Sequence, residues 1–537
     1  MSPRGIAVLL FLLILVPSAQ FMWHNRDMPD FADLHDDGIL FVSGQSLAQG
    51  QGYRIASLPS RPYQTKYPPL YPLLLSVVWR LNPNFPQNLV LASVASWFLL
   101  PICLALAFLL YGDERPLRKY RWWMVGLLGL CPYMVLFGAR MFSEIAFTCL
   151  ALGTLYCLNR VGSKWIVIAG LTAAAAYLTR TAGIALIGAT LVTFALRRQW
   201  RNAAVFTALT APFVLGWSIW TRIHLPHTTD LPLMYYIDYL GFQKVNVGWD
   251  NFPLVLWKNV DQILYGMGSL FAPKVFDLLL VKILTQVVAV AMIAGIVRLV
   301  RQRSCQLYAI FGLFSCVILV VWHYPPNERF VLPLYPLLLA GLFTEMAQLG
   351  QMLWTSLRRP AWSDRIVATG FGGAVACLLT AAVGLQCFVT FVMMPETSRQ
   401  KREQLASRRE AYSWIKINLP ANAAVFSYDD PLLYLYSGHK GSSNPLLPRY
   451  WYAQDHARIV GSYRNFAEFC RRHQLAYVYL TSQDALRETD DDDRKAIDSL
   501  IRHDPSMEPV HTAGIGTIFR VHPDRLAEFA PSNLDHP

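Results

Sequence analysis

Apolar positions dominate the chain in runs of spanning length, and the polar positions between them fall into short, mostly basic connections. A hydrocarbon layer of about 30 Å is crossed by roughly 20 apolar residues in a helix. Apart from the opening stretch MSPRGIAVLLFLLILVPSAQF, such runs lie near Leu89 to Leu110, Met124 to Phe137, Ile145 to Leu158, Ile166 to Leu196, Ala203 to Trp220, Leu278 to Val297, Leu307 to Trp322, Phe330 to Glu345 and Val367 to Met394. The run from Ile166 to Leu196 would reach about 46 Å as one helix, too long for a single crossing. The YLTRTAG segment at its middle splits it into a hairpin turning near Arg180. The expected architecture is a mainly α polytopic membrane protein with about eleven crossings.

One apolar run decides the sidedness of all the others. If PPLYPLLLSVVWRL, around Tyr71 to Leu81, crossed the membrane, every later segment would reverse. Pro68, Pro69 and Pro72 argue against a straight spanning helix, because each lacks a donor and clashes with the preceding turn. Left along the surface or re-entrant, the run makes the inner connections carry Arg115, Arg118, Lys119 and Arg121; Arg160 and Lys164; Arg197, Arg198 and Arg201; Arg298, Arg301 and Arg303; and Arg358, Arg359 and Arg365. That is the pattern of cytoplasmic loops. Residues 1–394 then form the membrane domain, with a first outer loop at 24–87, and residues 395–537 a soluble outer domain. Its first helix, TSRQKREQLASRREAYSWIK, is basic for an outer segment, but long domains translocate largely regardless of charge. The tail reads as α/β: that helix, a strand in AAVFSYDDP, a helix through LLYLYSG, and strands in AYVYLT and GIGTIFRV, with ETDDDDR a solvated loop. The opening stretch has the look of a signal peptide with a weak site at Ser18-Ala19, and we read it as a retained first helix.

Composition agrees: 54% of the 537 residues are hydrophobic and 15% charged, more apolar than a soluble core uses. The net charge of +12 is scattered in topology-setting groups, which argues against nucleic acid as a partner. The nine cysteines form neither a disulfide framework nor a CxxC pair, and no Gly-rich phosphate loop is present.

Candidate chemistry gathers in the outer turns. The first loop holds Asp33, His35, Asp36 and Asp37, with Lys66 before the prolines. A carboxylate pair near a lone lysine suits acid–base work on one substrate and charge pairing with another. Spacing alone is equally met by a solvated loop with a helix cap at Asp36 or Asp37. The GARMFSEIAFT turn sets Arg140 and Glu144 four residues apart, the spacing of a structural ion pair. Arg180 and the pair Glu328 and Arg329 occupy two further outer turns. Positive-inside statistics favour few arginines there, and arginine holds phosphate with a planar fork of donors. Lys282 lies near the outer end of its span without an evident role.

The acidic pair, the later GQGY, KYPPLYPLLL, RMFSE, the LTR hairpin and ERFVLPLYPLLL, in this order, resemble the C-type (GT-C) membrane glycosyltransferases. The similarity is greatest to bacterial relatives of protein O-mannosyltransferases and of the transferase that adds aminoarabinose to lipid A. It runs from about Asp33 to Leu339, and the tail is similar to the periplasmic domains of several members. The resemblance implies Asp36 as catalytic base with Asp37 beside it, and Lys66 as a donor-phosphate ligand, although Tyr67 intervenes before Pro68-Pro69. It further implies Glu144 as the second acidic motif, where many members have Asp, and Arg140, Arg180 and Arg329 as phosphate contacts. The expected activity is inverting transfer from a polyprenyl-phosphate sugar to a lipid, polysaccharide or protein hydroxyl on the periplasmic face of the bacterial inner membrane. No cofactor is certain, and a divalent metal stays open. A transporter or lipid flippase, with membrane lipid as its partner, is the alternative.

Overall fold

The computed structural model describes residues 2–358, 362–484 and 489–522; Arg359 of the last inner connection and Glu488 of the acidic run lie outside them. Each of the expected apolar runs is helical. Six helices are long and apolar enough to cross a membrane: Pro3–His24, Asn88–Asp113, Trp200–His224, Leu279–Arg301, Glu328–Leu357 and Arg365–Asn418. A bent pair, Arg118–Leu130 and Pro132–Ala139, angled by 58°, makes a seventh if its two limbs form one span. Pro132 opens the second limb, where its missing N–H costs nothing.

The other four expected crossings are the shorter apolar helices Ser143–Leu158, Ser163–Thr179, Thr181–Leu196 and Gln306–Val320, so among the described residues six helices, or seven with the bent pair as one span, are long and apolar enough to cross unaided. Three of the four begin or end beside Glu144 and Arg180, where polar groups interrupt the apolar run. The return at Arg180 is tight. Its residue is extended, at φ −147°, and a Cβ on Gly183 would lie 2.7 Å from the backbone of Tyr177. Only glycine lets the second limb start so close to the first. Helices Leu279–Arg301 and Glu328–Leu357 touch at Gly295 and Gly341, where an added Cβ would meet carbonyl oxygen. Small residues bring helices together in this way where no hydrophobic drive separates protein from lipid.

Leu70–Leu81 is a separate helix of 12 residues, about 18 Å long, which is too short to cross. It packs on Asp36–Ala48, the helix that opens the first loop's acidic segment; Trp79 Nε1 donates to the Phe41 carbonyl at 3.0 Å.

Helix Trp362–Phe388 passes through a π-helical turn, Val389–Met393, into Met394–Asn418 without a break. Beyond it lies a five-stranded sheet of β1 (Ala424–Ser427), β2 (Gly441–Ser442), β3 (Leu475–Thr481), β4 (Met507–Ala513) and β5 (Gly516–Val521). The order is β2-β1-β3-β5-β4, with β1 parallel to β2 and β3, and β5 antiparallel to β3 and β4. The acidic run is not a loop throughout. Helix Asp491–Arg502 begins inside it, with the Asp490 carboxylate accepting from the Asp493 N–H. Carboxylates in a first turn meet the positive end of the helix dipole, so a cluster that looks like solvated loop is a start signal.

The tail is not separate from the membrane part. Met28, Phe41, Leu75 and Trp79 share one apolar cluster with Tyr412, Val425, Leu433 and Ile518. Gly441 N–H donates to the Ser57 carbonyl at 2.9 Å, and Tyr452 Oη to Asn259 Oδ1 at 2.6 Å.

Candidate functional site

The first loop arrives at the helix ends through unusual backbone. Met28, Ala32 and His35 all have positive φ, which places successive acids of the loop on different partners. Asp30 pairs with Arg140, Asp33 with Lys401 at 2.9 Å, and Asp36 with Arg329. Asp37, 2% exposed, turns inward, and its Oδ2 accepts from the Ala32 N–H at 3.1 Å.

Asp36 stands at the centre of a charge cluster. Its Oδ1 accepts from the Tyr67 hydroxyl and its Oδ2 from Arg329 Nη1 at 2.7 Å. Arg329 also donates through Nε to Glu144 Oε1, which takes a second bond from Arg180 Nη1 at 2.5 Å. Arg329 and Glu144 therefore join three separate helix ends to the first loop. Glu144 is 1% exposed and its Oε2 is buried without a hydrogen-bond partner.

Lys66 completes the cluster. Its Nζ donates to the Tyr235 carbonyl at 2.9 Å and stands 4.2 Å from the Tyr235 ring and 5.1 Å from that of Tyr67. Burial pulls the Lys66 ammonium down to about 8, against the opposing attraction of Asp36. Burial alone would raise Asp36, but Arg329 and Lys66 outweigh it and hold the carboxyl at about 2. Asp37 has no such cation, and burial pushes it up to about 7. His323, buried beside the Lys66 cage with Tyr239 edge-on at 5.7 Å, is held neutral at about 3 by burial and then by Lys66.

Five of the residues singled out from the sequence, Asp36, Lys66, Glu144, Arg180 and Arg329, thus meet in one place. The spacing of Arg140 and Glu144 suggests a local ion pair, but Arg140 pairs with Asp30 and Glu144 with Arg180 and Arg329. Lys282 pairs with Asp261 at 2.7 Å. Residues that the sequence reading left out are Tyr67, Tyr235, Tyr239 and His323. Tyr67 did leave a signal: it is the extra residue between Lys66 and the prolines, and its hydroxyl bonds Asp36.

A further set of buried hydrogen bonds ties the site to the tail. His35 Nε2 bonds Asp430 Oδ1 at 2.6 Å and His35 Nδ1 bonds the Tyr235 hydroxyl at 3.0 Å. Tyr236 donates to the same Asp430 oxygen at 2.5 Å. Asp430 is fully buried and opens the tail helix Asp430–Ser437.

A divalent metal does not fit between the two site carboxylates. The Arg329 guanidinium already bridges Asp36 and Glu144, and Glu144 Oε2 is the one acid oxygen of that pair left buried and unpartnered. The one group of three or more ligand-type side chains among the described residues, His456, Asp490 and Asp493, is in the tail, two of the three exposed, and is a helix cap. With Arg180, Arg329 and Lys66 against two carboxylates, the cluster carries an excess positive charge and is built to receive an anion.

No protein-family model and no curated protein matches the chain. Solved structures match it over nearly its whole length. ArnT from Cupriavidus metallidurans bound to undecaprenyl phosphate aligns with 96% of this chain and 98% of its own at a TM-score of 0.51 and 16% identity. The archaeal oligosaccharyltransferase AglB from Archaeoglobus fulgidus, in complex with an inhibitory peptide and a dolichol-phosphate, aligns with 88% of this chain and 69% of its own at 0.52 and 12%. A second structure of that oligosaccharyltransferase, tethered to an acceptor peptide, aligns at 0.51 and 13%, over 89% of this chain and 69% of its own. ArnT and AglB are GT-C glycosyltransferases, and the likeness extends from the first helix into the tail, so this polytopic chain has the GT-C fold.

Proposed function

We propose that the chain is a membrane glycosyltransferase that moves a sugar from a polyprenyl-phosphate donor to an acceptor hydroxyl, with its site and tail on the periplasmic face of a bacterial inner membrane. One observation carries this reading: three cations and two carboxylates, drawn from separate apolar helices and one loop, meet at a single end of the bundle. The lipid phosphates named with ArnT and AglB have the chemistry that such a cluster would hold.

Lys66, Arg180 and Arg329 would bind the phosphate while the polyprenyl chain stays in the bilayer. Asp36 would take the acceptor proton as the acceptor oxygen bonds to the anomeric carbon. The bond from that carbon to the phosphate oxygen would break, its electrons staying on the phosphate. Attack opposite the leaving group inverts the configuration. A carboxylate held near 2 is a weak base. An arriving phosphate competes for Arg329 and Lys66 and adds a like charge, so Asp36 gains proton affinity only when the donor is bound. Fixed donors in a low-dielectric site then stabilise the leaving phosphate.

Proteoliposomes given a labelled polyprenyl-phosphate sugar and an extract of membrane acceptors test the proposal. Release of polyprenyl phosphate with label on a new product supports it; movement of intact donor across the bilayer, without consumption, identifies a flippase instead. Chelation should leave the rate unchanged, because Arg329 fills the place between the acids; a rate restored only by added divalent ions would show otherwise. Donor affinity should fall as pH rises through about 8, where Lys66 loses its proton. The bound phosphate holds that proton longer, so KM should rise before kcat falls. Lys66→Met should remove this limb of the profile, and its persistence would assign the proton elsewhere.

A further inference from the structure

The helices that carry the site at one end frame a second space at the other. On Ser143–Leu158, Glu144 and Leu158 are separated by about 21 Å, and Arg180 and Arg197 by about 25 Å along Thr181–Leu196, at 1.5 Å per residue. Around those far ends lies a cavity of about 950 Å³. That is at the upper end of the range of about 300–1,000 Å³ typical of ligand pockets. Its inner wall is apolar: Ala107, Leu155, Phe194 and Leu337 line it, with Tyr111 and Tyr308. Both tyrosine hydroxyls are turned away and donate to the carbonyls of Pro336 and Pro333, at 2.7 and 2.6 Å. The depth of the space therefore offers little to a polar molecule.

The mouth is different. Arg160, Arg197, Arg201 and Arg303 line it, together with Asp113 and Glu114. The two acids are engaged: Asp113 accepts from Arg160 at 3.1 Å, and Glu114 Oε1 from the Cys305 N–H at 3.2 Å. Arg197, Arg201 and Arg303 enter no ion pair among the described residues. Asp113 offsets Arg160, and Glu114, bonded among the described residues only to a backbone N–H, still offsets one of the other three, so the mouth keeps an excess of two guanidinium charges. Topology signalling asks for basic residues in these connections, but not for that excess around one opening.

We propose that this cavity is a binding site for an anionic glycerophospholipid, distinct from the donor site and independent of the activity proposed above. The lipid phosphate sits among Arg197, Arg201 and Arg303, whose planar forks match its oxygens, and an acyl chain enters the apolar interior. A free anion would leave the apolar depth unused, and a neutral or zwitterionic lipid would leave the arginines unbalanced.

Native mass spectrometry of the full-length protein in a mild detergent tests this, with equal amounts of phosphatidylglycerol and phosphatidylcholine. The wild type should retain phosphatidylglycerol about tenfold more than phosphatidylcholine, and Arg197→Ala/Arg201→Ala/Arg303→Ala should lose that preference. A charge-matched control, Arg115→Ala/Lys119→Ala/Lys164→Ala, removes three exposed charges that do not line the cavity and should keep it. An unchanged preference in the arginine triple, or equal loss in the control, overturns the site. Displacement by inorganic phosphate overturns the lipid, and displacement by undecaprenyl phosphate at equal concentration overturns the diacyl class. Thermal unfolding of each variant separates lost binding from lost fold: a triple that melts like the wild type without retaining the lipid supports the proposal. Preference lost only in proportion to melting overturns it.

Discussion

Asp36→Asn should reduce transfer by about 10²- to 10⁴-fold, the contribution of a positioned general base, while polyprenyl phosphate still binds. The amide keeps the size of the carboxylate and can still accept from Tyr67, so the pocket keeps its shape. It cannot take the acceptor proton. It also returns part of Arg329 to the phosphate, because a neutral amide holds the guanidinium less firmly than the carboxylate does. The split is therefore specific: kcat collapses and donor affinity holds or improves. Asp37→Asn is the internal comparison. Asp37 faces the Ala32 N–H and not the cluster, so its loss should act on loop stability and leave the rate of the folded enzyme near normal. Steady-state kinetics on the two purified variants, with donor binding measured separately, checks both. Full activity in Asp36→Asn sinks the assignment of the base.

Arg329→Ala should do two kinds of damage at once. The side chain is the shared counter-ion of Asp36 and Glu144, and its removal leaves Glu144 with Arg180 alone and Asp36 with Tyr67 and the more distant Lys66. Breaking a buried ion pair from one side costs about 3–5 kcal/mol, so the melting temperature should drop together with donor affinity. Arg329→Lys should recover little, because one ammonium cannot present a planar fork to two carboxylates from two helices. The neutral triple Asp36→Asn/Glu144→Gln/Arg329→Met removes the charges together and should regain stability without regaining transfer. A single Arg329→Ala that melts like the wild type would mean the guanidinium is not the keystone described above.

Much of this molecule is legible in its sequence, for a physical reason. Lipid demands long apolar runs, and the connections between them can be sorted by their basic residues, so Asp36, Lys66, Glu144, Arg180 and Arg329 fall on one side before any coordinates are known. The pairing of those residues is not legible. Which of Asp36 and Asp37 faces Arg329 depends on about 100° of rotation between neighbouring helical residues and on three positive-φ residues upstream. Arg140 and Glu144 have the spacing of a pair, yet Asp30 and Arg329 supply them with partners from elsewhere in the chain. The apolar pattern gives the hairpin turn at Arg180 but not that Arg180 meets Glu144 there, because it reports apolar length and not the partners of a buried polar residue. His35 and Asp430 are 395 residues apart, and no local pattern announces such a contact.

The unbroken helix from the membrane into the tail gives the protein a mechanical character. Trp362–Phe388, Val389–Met393 and Met394–Asn418 run on as one helix from bilayer to sheet domain, so the azimuth of the tail depends on helical phase. One residue added there turns everything beyond it by about 100°. The π-helical turn already shifts that phase, and beyond it the helix Asp430–Ser437 meets the first loop where His35 Nε2 bonds Asp430 Oδ1 at 2.6 Å. A change of phase in that helix would therefore be felt directly at the His35–Asp430 contact.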